Sequence, residues 1–207
     1  MRLLKRLCTA LLLVTSLAAL GQTSTPRDYA KGLRKERAKK DKHFRRDDDS
    51  PIPPAGRGAF KGLHYYPADA AYRVPATFVR DSSQASFKMK TSTNRLPEYR
   101  KYGELHFQLA GKPLVLNVYQ NLELIKQEMY RDYLFIPFTD ETNGHASYGG
   151  GRYLDFRIPA TQAVTLDFNQ AYNPYCAYGG AYSCPIPPAE NVLPLAVEAG
   201  EKTYQEH

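Results

Sequence analysis

The sequence predicts a mainly β protein, an antiparallel sandwich or a small partly open barrel, preceded by one N-terminal helix. Three observations predict it. From residue 72 onward apolar side chains recur with period two in short runs, turn residues separate the runs, and helical spacing is confined to the stretch before them. There is no internal repeat and no alternation of strands with helices, which excludes a parallel α/β sheet.

The first residues stand apart from that pattern. Arg2, Lys5 and Arg6 form a basic start, residues 7–20 are an apolar run, and Ala19 and Gly21 are small residues where a signal peptidase inspects the chain. Residues 1–21 therefore read as a signal peptide cut before Gln22, and the mature protein as exported, periplasmic or extracellular. The run is shorter than the roughly 20 residues a bilayer span requires. No stable membrane insertion is expected after cleavage.

Residues 22–46 read as a basic helical arm. Thr25 can cap a helix, Pro26 suits its first position, and Asp28 puts negative charge in the first turn, so a helix is expected over about 26–44. Tyr29, Leu33 and Phe44 give it a thin apolar stripe able to dock on a domain. A sharper reading makes the arm a contact for acidic polymers or anionic lipid. Its acidic run, prolines and glycines then mark 47–58 as a linker, leaving 59–207 as a single β-rich domain.

This division also places the charge. The formal net charge of +7 comes from the signal and the arm, whereas residues 51–207 carry equal numbers of acidic and basic side chains. A nucleic-acid-binding reading is thereby excluded.

Within the domain, YRVPATFVR and ASFKMKTS alternate around Val74, Phe78, Phe87 and Met89, with Asp81-Ser82-Ser83 as the turn between them. GELHFQLAGKPLVLNVYQN reads as a hairpin: Leu105, Phe107 and Leu109 on one face, a turn at Ala110-Gly111-Lys112, then Leu114, Leu116 and Val118. DYLFIPF, RYLDFRI, VTLDF and VLPLAVEA supply further short strands, the last with Pro194 at an edge or bulge.

Two stretches are richer than connections require. Residues 136–156 run from a buried-looking strand into Asp140, Asn143, His145, Tyr148, three glycines and Arg152. Glycines allow close approach of backbone N–H groups, and Arg152 offers a planar fork for a carboxylate or phosphate. No Gly-Lys-Ser/Thr ending and no helix pattern follow, so a nucleotide P-loop is excluded. The bland alternative is a wide hairpin loop in which Arg152 pairs with Asp140 or Asp155. The second stretch, residues 173–191, holds Cys176 and Cys184 among tyrosines and prolines.

These blocks carry a resemblance. PF-x-D-x-T-x-G at 137–144, YGGGRYL at 148–154, DFN-x-AYNP-x-CAY at 167–178, CP-x-PP-x-EN at 184–191 and AGEK at 199–202 resemble the family catalogued as domain of unknown function 1684, found in bacteria and archaea. FKGLHYYPAD at 60–69 and the preceding helix resemble its amino-terminal half, so the likeness covers about residues 28–204. Ser147 stands where the pattern has Thr, and His145 lies outside it. The resemblance implies no established activity, substrate or cofactor.

With Cys8 removed in the signal, an exported chain keeps an even pair, which favours a Cys176–Cys184 disulfide. A zinc site would need companion ligands, and the five histidines are scattered, so no metal and no cofactor is expected. A nucleophilic thiolate would need His64, His106 or Glu190 as its base.

Three functions follow. In the first, an exported module binds a small polar or anionic ligand between the 140–152 loop and the 172–191 segment, using Arg152, Tyr148, Tyr172 and Asn173; Arg152→Ala should then keep the fold and lose the ligand. In the second, a hydrolase uses Asp140, Glu190 or Glu201 for acid–base work in that pocket. The third is an envelope structural protein without a ligand. Oligomeric state is left open.

Overall fold

A single curled antiparallel sheet positions everything else. The computed structural model describes residues 25–83, 85–179 and 181–204; the expected signal segment lies outside them. The elements are α1 (Pro26–Arg46), α2 (Pro54–Arg57), β1 (Arg73–Arg80), β2 (Ser86–Lys88), β3 (Glu98–Leu109), β4 (Lys112–Asn121), β5 (Tyr133–Phe138), β6 (Arg152–Arg157) and β7 (Ala163–Asp167). The strand order is β6-β5-β4-β3-β1-β7, with β2 paired to the start of β3. The result is a half-barrel, the partly open member of the two architectures expected.

Alternation explains the curl. Val74, Ala76 and Phe78 of β1, Leu105 and Phe107 of β3, and Leu116 and Val118 of β4 face one core. Leu134, Ile136 and Phe138 of β5, Leu154 of β6 and Leu166 of β7 complete it. At roughly 1.5–3 kcal/mol for each fully buried large apolar side chain, this face carries most of the stabilisation. The β3–β4 hairpin turns on Ala110 and Gly111, both at positive φ (50° and 75°), the two-residue turn that matches strand twist. Register slips once, between Lys101 and Gly103, which bends β3. A Cβ at Gly103 would stand 2.5 Å from the Val79 carbonyl oxygen and 2.7 Å from the Phe78 ring, so only glycine lets Phe78 cross there.

The convex face is also apolar. Met89, Tyr99, Tyr119, Phe135 and Tyr153 form a second cluster, joined by Tyr133 and Tyr172. Here the side chains are aromatic with polar tips, suited to a surface that is only partly covered.

The helix begins as the caps predict, Thr25 accepting from the Asp28 amide at 3.2 Å, and runs to Arg46. Leu33 and Phe44 are buried. Phe44 joins Ile52, Phe60, Leu63 and Tyr178 in a third cluster. Polar anchors add to it: the Tyr29 hydroxyl donates to Asp167 at 2.8 Å, Arg37 to the Tyr66 carbonyl at 2.9 Å, and the Leu63 amide to Asp41 at 3.0 Å. The arm is thus a packed part of the body. The linker is not bare either, since α2 lies within it.

One expected strand is absent. Residues 192–199 are extended and bury Leu193, Leu195, Val197 and Ala199 alternately, yet no neighbouring strand takes them into the sheet. Leu193 donates to the Thr139 carbonyl at 2.8 Å and Leu195 accepts from the Glu141 amide at 3.1 Å, an isolated pairing just past β5; beyond it the partners include side chains, as described next.

Candidate functional site

Arg152 heads β6 and is fully buried beneath the half-barrel. Its Nη2 donates to Asp140 Oδ2 at 2.7 Å and to the Val197 carbonyl at 2.8 Å; its Nη1 donates to the carbonyls of Ala199 and, at 3.2 Å, Glu201. Carbonyls at every second residue of an extended segment point the same way, and one guanidinium collects three of them. Arg152 therefore satisfies the carbonyls of Val197, Ala199 and Glu201, while Gly200 and Glu201 also bond the backbone of Tyr66 and Ala171.

The 140–152 loop exists to hold this pair. Asp140 Oδ1 accepts from the Thr142 amide, the Thr142 hydroxyl and the Val197 amide at 2.6–3.1 Å. Asn143 accepts from the Asp140 amide at 2.6 Å and donates to Ser147 and to the Tyr148 carbonyl. Asp140 and Arg152 thus meet each other, and the half-buried Tyr148 is tied in through its carbonyl.

Glu201 links this knot to a real cavity. Its side chain accepts from Lys40 Nζ at 2.6 Å, the Asn173 amide at 2.9 Å and the Tyr178 hydroxyl at 2.5 Å. Burial pushes the Tyr178 hydroxyl well above its ordinary pKa, and the Glu201 charge adds to that. Asn173 is buried and donates to the Lys202 carbonyl at 2.8 Å. Lys40 lies 4.9 Å over the Tyr172 ring, a cation–π contact across the cavity edge.

The cavity holds about 660 Å³. One wall is α1, through Leu33, Arg37, Lys40 and Phe44. The floor is the convex aromatic face, Tyr99, Tyr133, Phe135 and Tyr153, and the far wall is the 169–185 segment with Tyr172, Tyr175 and Tyr182. Phe135 and Tyr153 meet edge to face at 4.7 Å, and Tyr153 meets Tyr172 likewise at 5.8 Å. Asp155 stands at the rim of β6, accepting from Tyr133 at 2.7 Å and Tyr172 at 2.5 Å through Oδ1. The Tyr133 and Tyr172 hydroxyls are raised, first by burial; Asp155 adds to both, and Tyr133 also acts on Tyr172.

The sequence-predicted residues divide accordingly. Tyr172 and Glu201 line the cavity, with Asn173 just behind it; Arg152, Asp140 and Tyr148 do not line it, and Glu190 is exposed on a one-turn helix. The 140–152 loop and the 172–191 segment are therefore not two walls of one pocket, because Arg152 draws the loop down onto residues 197–201 instead. Arg37, Tyr65 and Tyr133 enter from outside the two motif-rich stretches, and Asp155, at the end of the first, enters as a cavity residue and not as the partner of Arg152.

Cys176 and Cys184 are joined, with Cα atoms 6.3 Å apart. The disulfide closes the far wall, and the loop-entropy estimate for so short a closure is about 2.5 kcal/mol. Of the described residues, His43, Asp47 and Asp49 bring one metal-ligating atom each within 4.8 Å. They sit at the exposed C-terminal end of α1, where His43 and Asp47 already pair at 2.9 Å.

Residues 58–202 match the model of a family described as a protein of unknown function, DUF1684. The chain belongs to that family. A solved structure agrees: the solution NMR structure of an uncharacterized protein from Haloarcula marismortui is 39% identical, with a TM-score of 0.66, covering 87% of this chain and 97% of that one. Comparison with curated proteins gives no match. Several blocks that carry the family resemblance meet at the cavity: AYNP supplies Tyr172 and Pro174, and AGEK supplies Glu201.

Proposed function

We propose that this family member is an exported binding protein that takes a small organic molecule with a flat apolar body into the tyrosine-floored cavity. The carrying observation is a concave space of about 660 Å³ whose floor is aromatic and whose rim is polar. That is the size and make-up of a small-molecule site. The hydrolase alternative has less support: Asp140 is saturated inside the fold, Glu190 is exposed, and both Glu201 oxygens are held by protein donors.

Filling the cavity tests the binding reading. Leu124 lies on its lining, half-buried on a one-turn helix, so Leu124→Trp should occupy the space while leaving the core untouched. A panel of neutral aromatic compounds screened by thermal shift should contain members that raise the Tm of the wild type and leave that of Leu124→Trp unmoved. Equal shifts in both proteins, or none in either, would sink the proposal.

Export is supported by the basic and apolar start of the chain and by the disulfide. The secreted protein should have an intact mass corresponding to residues 22–207 and no thiol reactive toward an alkylating agent before reduction. A cytosolic full-length chain with three free thiols would refute it.

A further inference from the structure

Two opposite charges on the cavity lack a charged partner among the described residues, Arg37 half-buried on one side and Asp155 at the exposed rim on the other. The Arg37 guanidinium, half-buried on the α1 wall, donates only to the neutral carbonyls of Tyr66 and, at 3.3 Å, Asn169; among the described residues it makes no ion pair. Its Nε is buried with no hydrogen-bond partner. The ring of Tyr65 lies 4.3 Å beneath it, and the buried Tyr65 hydroxyl has no partner at full hydrogen-bond distance, Glu201 acting on it only loosely. Unmet donors on a cationic group are costly unless an acceptor arrives.

Asp155 is the counterpart on the β6 side. Both tyrosine hydroxyls that reach it donate to Oδ1, and among the described residues no cation pairs with it. The neighbouring basic groups are accounted for: Lys40 is held by Glu201, and Arg157 by Asp132 at 2.6 Å. Glu36 and His43 also line the cavity. Glu201 stands close enough to act on both Arg37 and Tyr65, but Lys40 offsets its charge. A purely anionic ligand would meet Asp155 unfavourably, and a purely cationic one would meet Arg37.

We infer that the cavity recognises a zwitterion: an acid group on Arg37 and the Tyr65 hydroxyl, an ammonium on Asp155 among the rings of Tyr133 and Tyr172, and a flat body over Phe135 and Tyr153. Tyrosine rings around a carboxylate are a favourable setting for an ammonium, and a guanidinium for a carboxylate. This rests on the cavity being a binding site and adds the charge pattern of what it binds.

The test titrates 4-(aminomethyl)benzoate against its two halves, 4-methylbenzoate and benzylamine, by calorimetry. The zwitterion should bind about tenfold or more tightly than either half, one charged contact being worth roughly that factor. Asp155→Asn keeps an acceptor for both tyrosines and should reduce the zwitterion to the affinity of 4-methylbenzoate. Arg37→Met should reduce it to that of benzylamine. Because Arg37 also holds two carbonyls, Tyr65→Phe serves as the second variant: it removes no more than the loose contact of the Tyr65 hydroxyl with Glu201, should move Tm little and should weaken the zwitterion several-fold. Equal affinity for the zwitterion and both halves, or affinities unmoved in all three variants, overturns the charge assignment even if neutral aromatics still bind. No binding by the zwitterion overturns it too; the cavity reading itself fails only if Leu124→Trp and the neutral panel also fail.

Discussion

Arg152→Met should destabilise the protein by about 3–5 kcal/mol, the cost of leaving one partner of a buried ion pair alone. Against a total of roughly 5–15 kcal/mol this is enough to make expression marginal. The substitution strands the Asp140 carboxylate and uncaps the carbonyls of Val197, Ala199 and Glu201 in one step. In urea the midpoint should fall by about 2 M with an unchanged slope, if the slope is in the usual range of 1–3 kcal/mol/M. Arg152→Lys should rescue little, because a point ammonium cannot reach a carboxylate and three carbonyls at once. Nor should Asp140→Asn combined with Arg152→Met recover stability, since the carbonyls remain unpaired. A folded Arg152→Met protein with the wild-type midpoint would show that residues 197–201 are held by something else.

The pairing behind this outcome is the bland alternative the loop offered, Arg152 with Asp140, and not the anion site. Arginine, aspartate and glycines in one loop describe an anion site and a buried clamp equally well; what separates them is whether an extended segment 45 to 49 residues later supplies carbonyls. VLPLAVEA announced its buried side chains by alternation but not its hydrogen-bond partners, because period two reports which face is buried and nothing about the ladder. The strands of the half-barrel were legible because one face of each is apolar, and the hairpin because only a few turns fit two residues. Among the site residues, Tyr172 and Glu201 were reachable from the motifs. Arg37 and Lys40 left a fainter trace: they fall on the same helical stripe as Leu33 and Phe44, and charges on a docking stripe are worth noticing. Asp155 and Tyr153 sit in the strand RYLDFRI, where alternation sends them to the convex face. Nothing in the sequence said that a helix would cover that face.

Above pH 10 the stability should collapse within one to two pH units. Tyr65, Tyr133, Tyr153, Tyr172 and Tyr178 all have hydroxyls raised above the ordinary value of 10.0, in each case first by burial. The next contribution is the Glu201 charge for Tyr65 and Tyr178, Asp155 for Tyr133, Tyr99 for Tyr153 and Tyr133 for Tyr172. Below pH 10 these tyrosines are protonated in both states and their burial is without electrostatic cost. Above it the unfolded chain loses protons that the folded chain keeps, so fewer protons are bound on unfolding and stability falls as pH rises toward the folded pKa values. Each group contributes about 1.4 kcal/mol per pH unit, and five acting together about 7 kcal/mol per unit. That slope reaches the whole of an ordinary folding free energy near pH 11 to 12. Tyrosinate absorbance for this group should therefore appear in the same steep transition as the loss of β-sheet circular dichroism. A gradual rise centred at pH 10 with the sheet intact would mean that the aromatic floor is open to solvent, and the cavity built upon it would lose its wall.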